Sequence, residues 1–87
     1  MAQVTYSGQA LDALARALAA TNAGAIESGV ENLARHPLVG RRVEGDLREL
    51  VISFGATGYI ALYRFLVQSD EVRVLALRHQ REIGYLP

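Results

Sequence analysis

The first third of the chain repeats apolar residues every three to four positions, which is the spacing of a helix with one apolar face. Ser7 is a suitable N-cap for a first helix, because its hydroxyl can accept a hydrogen bond from a free amide of the first turn. A break at residues 21–24 precedes a second helix, which Pro37 ends, because the residue before a proline disfavours helical geometry. The predicted apolar faces are Leu11, Leu14, Ala15, Leu18 and Ala19 on the first helix, and Ile26, Val30, Leu33 and Ala34 on the second.

The second half of the chain changes to the patterns of β-strands. Residues 47–54 alternate in polarity, residues 59–66 are apolar on both faces as in a central strand, and the last strand, from residue 72, alternates again. Turns are predicted at residues 55–58 and 68–70, where Gly, Ser and Asp gather. Residues 4–6 are predicted to form a short opening strand.

These elements predict an α+β fold for a single domain over residues 1–87, in the order β-α-α-β-β-β, with a helical hairpin packed on a mostly antiparallel four-stranded sheet. Residues 36–46 are predicted as a loop. Tyr59 and Tyr63, two positions apart on the central strand, are predicted to be core or interface residues. The Ala-rich helices have good intrinsic helicity but bury little area. We therefore expect a partner's apolar side chains to complete the core in a groove between hairpin and sheet.

Composition narrows the classes of function. The chain has no cysteine, which excludes disulfides and thiolate metal sites, and we expect no metal or cofactor. Nine basic residues, all arginine, balance nine acidic ones, which argues against binding nucleic acid mainly through its phosphates. Neither a secretory signal nor an apolar run of the ~20 residues needed to cross a bilayer is present, so we expect a cytoplasmic protein without membrane contact.

Four motifs, in their order and spacing, resemble those of the RelE/ParE superfamily of toxin–antitoxin toxins, and the resemblance covers essentially the whole chain. They are Pro37-Leu-Val-Gly-Arg41, Leu47-Arg-Glu-Leu50, Gly58-Tyr-Ile-Ala-Leu-Tyr63 and Arg78-His-Gln-Arg81. The resemblance implies the growth-inhibiting toxin of a type II module, of the kind that stabilises plasmids. It also implies that a cognate antitoxin neutralises the toxin by direct binding in a hetero-oligomer.

The superfamily holds two biochemistries, so the resemblance leaves the cellular target open. RelE-like members cut mRNA on the ribosome, whereas ParE-like members poison DNA gyrase. RNA cleavage by a 2′-hydroxyl needs a base, cations at the phosphate and an acid for the leaving oxygen. By resemblance, Arg81 falls at a phosphate-stabilising position and Tyr85 near a terminal tyrosine. His79 could serve as acid or base, and Arg48 could reach the same face.

The nuclease pattern is incomplete, which favours the ParE-like alternative. Ile60 follows Gly58-Tyr59 where nuclease members tend to carry an arginine, and residues 51–53 stand where they place lysines. We therefore favour a non-enzymatic inhibitor of DNA gyrase, and keep a ribosome-dependent mRNA endoribonuclease as the alternative. A degenerate toxin that survives only as a binding module is a third hypothesis.

The candidate side chains also have purely structural interpretations. Arg78 and Arg81 could pair with carboxylates at the sheet edge or with acidic residues of an antitoxin. His79 is more often a hydrogen-bonded structural residue than a catalyst. Arg41 and Arg42, beside two acidic residues, are most simply a solvated basic spot in a loop.

Overall fold

The computed structural model describes residues 1–20, 23–52 and 58–79, which form two helices and one five-stranded sheet. The sheet order is β1-β5-β4-β3-β2, with β1 parallel to β5 and every other neighbouring pair antiparallel. The elements in chain order are β1 (Gln3–Tyr6), α1 (Gly8–Ala20), α2 (Ala23–Arg35), β2 (Arg41–Glu44), β3 (Leu47–Ile52), β4 (Tyr59–Leu66) and β5 (Glu71–His79).

The predicted α+β class, with two consecutive helices and a mostly antiparallel sheet, is confirmed. The prediction of a loop over residues 36–46 was wrong for Arg41–Glu44, which form β2 and give the sheet five strands instead of four. All four residues of β2 are exposed, so no apolar alternation marks the strand, and it is its backbone pairing with β3 that forms it. Residues 55–57 of the predicted turn at 55–58 lie outside the described residues.

The helix ends follow the predicted signals. The Oγ of Ser7 accepts a hydrogen bond from the amide of Ala10 at 3.1 Å, as an N-cap does. The same hydroxyl donates to the carbonyl of Leu75 at 2.9 Å, which ties the start of α1 to β5. The second helix ends at Arg35, two residues before Pro37.

The predicted apolar face of α1 holds for Leu14, which is half-buried, but was wrong for Leu11, Ala15, Leu18 and Ala19, which are exposed. Ala10 and Ala17 are buried, whereas Leu11 and Leu18 are 52% and 39% exposed. Small side chains allow the helix to approach the sheet closely, and Leu11 and Leu18 then lie outside the contact, whereas Leu14 borders the core. On α2 the predicted face is confirmed by the burial of Ile26, Leu33 and Ala34.

The core lies between the helices and one face of the sheet, and its largest fully buried side chain is Tyr63. The tyrosine hydroxyl accepts a hydrogen bond from the amide of Gly40 at 2.8 Å, which fixes the loop after α2 against the sheet. A Cβ at position 40 would lie 2.6 Å from the tyrosine ring and 2.7 Å from the carbonyl oxygen of Glu49. Only glycine fits this close approach.

The carboxylate of Glu71 joins the parallel strands β1 and β5. Its Oε2 accepts hydrogen bonds from Thr5 Oγ1 at 2.5 Å and from Arg73 Nε and Nη2 at 3.2 and 3.0 Å. The hydroxyl of Thr5 and then the guanidinium of Arg73 lower the pKa of Glu71 below its ordinary value.

We expect Gly40→Ala to destabilise the protein by about 1–3 kcal/mol, because the new methyl group would overlap with a fully buried ring and a backbone carbonyl. Urea unfolding followed by circular dichroism measures the change. Gly8→Ala is the matched control, because no described atom lies within 4 Å of a Cβ at that position. Equal unfolding midpoints for the two variants would mean that the loop moves away from Tyr63 without cost.

We expect Glu71→Gln to lower the free energy of unfolding at neutral pH, by an amount that shrinks as the solution is made acidic. A carboxylate with a lowered pKa stabilises the folded state above the pKa of the unfolded chain, about 4.3, and this contribution is lost as the pH falls through the folded-state pKa. Chemical denaturation across this range, with exposed Glu27→Gln as control, measures the difference. Parallel pH profiles for wild type and Glu71→Gln would contradict the expectation.

Candidate functional site

The four residues considered for catalysis come from two regions of the sequence. Arg81 and Tyr85 lie outside the described residues, so their roles stay predictions. Arg48 is in β3 and His79 is the last residue of β5. The described part of the chain therefore shows how Arg48 and His79 are placed relative to each other.

Arg48 and His79 lie at different positions along the strand direction of the sheet. Arg48 is opposite Tyr63, and His79 is opposite Tyr59. These two tyrosines are four residues apart on β4, which corresponds to about 13 Å along a strand. Residues directly opposite share a face, so Arg48 and His79 are on one face but do not meet at one site.

The guanidinium of Arg48 is bonded to the backbone of the loop after α2. Its Nη1 donates to the carbonyl oxygens of Leu38 at 3.2 Å and of Gly40 at 2.8 Å. Charged donors make strong hydrogen bonds, so this side chain clamps the loop from the sheet side. The clamp is a structural role that the sequence motif did not reveal, because its partners are backbone carbonyls.

The end of β5 places its two polar residues on opposite faces. Arg78 is opposite Ile60 and His79 is opposite Tyr59, and successive residues of a strand point to opposite faces. The imidazole of His79 packs edge-on against the ring of Tyr59, with centroids 5.3 Å apart at 82°. The motif Arg78-His79 therefore does not deliver both side chains to the same surface.

Tyr63 is a polar residue directly opposite Arg48 in the sheet. Burial raises the pKa of Tyr63, against the opposing effects of the Gly40 hydrogen bond and the Arg48 guanidinium. The hydroxyl is therefore neutral at physiological pH. Because the ring is fully buried, the residue serves the core and not a substrate.

A second feature is an apolar cleft between α1 and α2, with a volume of about 350 Å³. Its two carboxylates, on Glu27 and Glu31, are exposed and come from α2. The groove was predicted between hairpin and sheet, but the cleft lies between the helices and only Tyr6 is contributed by a strand. It is lined by Met1, Tyr6, Leu14, Leu18, Ile26, Glu27, Val30, Glu31 and Ala34.

Metal and membrane sites were also considered. Over residues 1–20, 23–52 and 58–79, no group of three or more His, Asp or Glu side chains is arranged to hold a metal ion. In the same parts of the chain, neither helix has the length and apolar character required to cross a membrane.

Comparison with known proteins identifies relatives. A family model described as the ParE toxin of the type II toxin–antitoxin system, parDE, matches residues 4–84. Toxin RelE3 of Caulobacter vibrioides is 46% identical over 57 residues, which are 66% of this chain and 60% of that protein. The match thus spans less than two thirds of the length of this relative.

Solved structures share the fold. A chain of the E. coli RelBE toxin–antitoxin complex superposes with a TM-score of 0.72 at 11% identity, covering 94% of this chain and 100% of that one. The isolated E. coli RelE toxin gives 0.72 at 11% identity, covering 97% and 89%. A metal-bound toxin from Helicobacter pylori gives 0.58 at 14% identity, covering 97% and 100%. At these identities the likeness concerns the fold alone.

Proposed function

Because the chain belongs to the ParE toxin family of type II toxin–antitoxin systems, we propose that it arrests growth by binding DNA gyrase and that a cognate antitoxin masks it in a hetero-oligomer. The proposal places the protein in the cytoplasm, where gyrase acts. The observation that carries it is the separation of Arg48 from His79, because a binding inhibitor needs no assembled pair of cation and proton-transfer group.

Arg48 gives further support to binding over catalysis. Its Nη1 is already bonded to two loop carbonyls, so stabilising a phosphate with that nitrogen would break the clamp. General acid–base catalysis requires the reacting groups within hydrogen-bond reach of a common substrate atom. His79 instead packs on Tyr59, at another level of the sheet.

The cleft between the helices suits an antitoxin segment. An amphipathic helix binds such a groove with apolar side chains spaced i, i+3, i+4 and i+7. The exposed carboxylate of Glu27 favours a segment with cationic residues beside its apolar face, whereas that of Glu31 is already paired with Arg35. The partly exposed Leu18 would be covered in the complex, so binding would complete the burial that α1 lacks alone.

We expect Leu18→Asp to weaken the complex with the product of the adjacent open reading frame by about tenfold or more, because the carboxylate would be desolvated in an apolar cleft. The variant should also lose much of the rise in melting temperature that the antitoxin gives wild type. Calorimetric titration and thermal melts measure both effects. Leu11→Asp is the control, because this leucine is exposed on α1 without lining the cleft. Equal affinities for the two variants would exclude the cleft as the antitoxin site.

A RelE-like mRNA endoribonuclease is the second candidate function. The relative named Toxin RelE3, 46% identical over the matched residues, favours it. On this alternative Arg81 would stabilise the phosphate, while His79 and Tyr85 would exchange protons and Arg48 would add positive charge. The ribosome would then have to assemble these groups, since Arg48 and His79 stand apart in the isolated chain.

Two assays on the purified toxin distinguish the targets. We expect it to inhibit supercoiling by purified DNA gyrase and to leave mRNA intact on programmed ribosomes. Codon-dependent cuts that disappear with Arg81→Ala or Tyr85→Ala, without an effect on gyrase, would establish the alternative. Failure of induced expression to arrest growth would leave only a binding module without toxicity.

A further inference from the structure

Tyr6 brings a phenol hydroxyl to the cleft between the helices. It is the last residue of β1, and its ring packs against the buried core. The side chain borders two spaces, a gap of about 10 Å³ beneath the helices and the cleft of about 350 Å³. Among the described residues that line either space, Tyr6 is the only one with a hydroxyl.

Within the described part of the chain, the hydroxyl of Tyr6 makes no hydrogen bond. Burial raises the pKa of Tyr6 with no opposing contact, whereas for Tyr63 the hydrogen bond from Gly40 opposes the same effect. The phenol therefore keeps its proton and is a donor at physiological pH. A hydroxyl that leaves water without gaining a partner is unfavourable, so buried tyrosines usually find one.

The core does not supply that partner. The gap beneath the helices is at the lower limit for one water molecule, and the rest of its lining is Ala, Leu, Ile and Val. The hydroxyl is not among the sealed polar atoms of the described residues, so solvent reaches it. The cleft is the wide opening that Tyr6 borders, and a group that enters the cleft can therefore bond to the hydroxyl.

Carboxylates at the cleft restrict the chemistry of that group. Glu27 and Glu31 are both exposed there, and the described ion pairs include Glu31 with Arg35 at 2.7 Å but not Glu27. An incoming carboxylate would be repelled by these charges and would lose its own hydration in an apolar cleft. The acceptor that suits Tyr6 is therefore a neutral oxygen, such as that of an amide.

We propose that the Tyr6 hydroxyl selects the antitoxin segment in this cleft by donating a hydrogen bond to a neutral carbonyl oxygen of that segment. The inference rests on the proposed function and adds the group that the segment must carry. Main-chain carbonyls of a helix are already bonded except in its last turn. The acceptor therefore belongs to an Asn or Gln on the apolar face of the bound helix, or to its C-terminal turn.

This contact gives the cleft a specificity that apolar packing alone lacks. Apolar side chains of similar size can replace one another in a groove with little change in affinity. A segment without the acceptor would instead bury the Tyr6 hydroxyl without a partner, which lowers affinity by roughly tenfold. Discrimination between antitoxins thus comes from leaving a polar group unbonded in the wrong complex.

The test is Tyr6→Phe, which removes one oxygen atom and keeps the ring. We expect the affinity for the product of the adjacent open reading frame, measured by calorimetric titration, to fall about fivefold or more. The reason is that the carbonyl of the antitoxin would be buried without a donor. The unfolding midpoint of the free toxin should not fall, because the described structure gives this hydroxyl no bond to lose.

Tyr63→Phe is the matched control, since it makes the same change at a tyrosine that does not line the cleft. It should show the opposite pattern. The unfolding midpoint should fall because the amide of Gly40 loses its acceptor, whereas the affinity of the folded variant should equal that of wild type. If Tyr6→Phe also lowers the midpoint and keeps wild-type affinity, the hydroxyl has a structural role and the proposal is overturned.

Glu27→Gln tests the neutrality of the acceptor. We expect weaker binding and a smaller dependence of affinity on salt concentration, because a carboxylate that faces a cation of the segment is lost. Tighter binding would mean that the segment brings an anion to the cleft, which would overturn the neutral acceptor. Asp12→Asn, at an exposed position of α1 outside the cleft lining, is the control and should bind as wild type does.

Leu18→Asp separates this inference from the proposed function. If Leu18→Asp weakens the complex and Tyr6→Phe does not, the cleft holds the antitoxin but the hydroxyl contact is overturned. If neither variant weakens the complex, the antitoxin binds elsewhere and the inference is overturned, while inhibition of gyrase can still be observed. If the wild-type toxin neither binds the adjacent gene product nor arrests growth, the proposed function is removed, and the inference with it.

Discussion

The hydrogen bond between the hydroxyl of Tyr63 and the amide of Gly40 joins the centre of the sheet to the loop after α2. A buried phenol must find a polar partner, and at this position the amide reaches it only because a residue without a Cβ avoids overlap with the ring and with the carbonyl of Glu49. This contact positions the chain as it leaves α2, so that β2 begins at Arg41 beside β3. Strand β2 therefore depends on an interaction made by a residue of β4.

The first helix packs closely on the sheet but buries little apolar area there. Ala10 and Ala17 bring α1 close to β5, and each buries little surface. The larger Leu18 is left partly exposed beside the cleft. Although 51% of the residues are hydrophobic, some of their side chains lie outside the core. On the proposed function, an antitoxin that covers this surface would add to the stability of the folded chain.

The sequence predicted those features that local chemistry controls. Ser7 and Pro37 marked helix ends, and alternation marked β3 and β5, because capping and pleating act within a few residues. It failed for β2, whose pairing with β3 leaves no apolar pattern. It also failed for the face of α1, where most positions are apolar and only the approach of the sheet selects the alanines.

The sequence predicted which residues belong to the candidate site but not where they lie relative to one another. The motifs drew attention to Arg48 and His79 as possible partners in catalysis, yet the distance between them follows from the strand register, which no short motif contains. The clamp made by Arg48 was invisible because its acceptors are the backbone carbonyls of Leu38 and Gly40, which lie three residues and one residue before β2 begins. The roles of Arg81 and Tyr85 stay predictions.

The net charge of +0 says little about how charge is placed on the surface. The carboxylates of Glu27 and Glu31 lie at the cleft, and that of Glu31 is paired with Arg35 at 2.7 Å. Charges interact over about a Debye length of 8–10 Å, so a partner senses the local field and not the sum over the chain. A balanced total is thus compatible with electrostatic selection at the cleft. It argues against indiscriminate phosphate binding while allowing a protein partner whose cationic residues lie beside its apolar face.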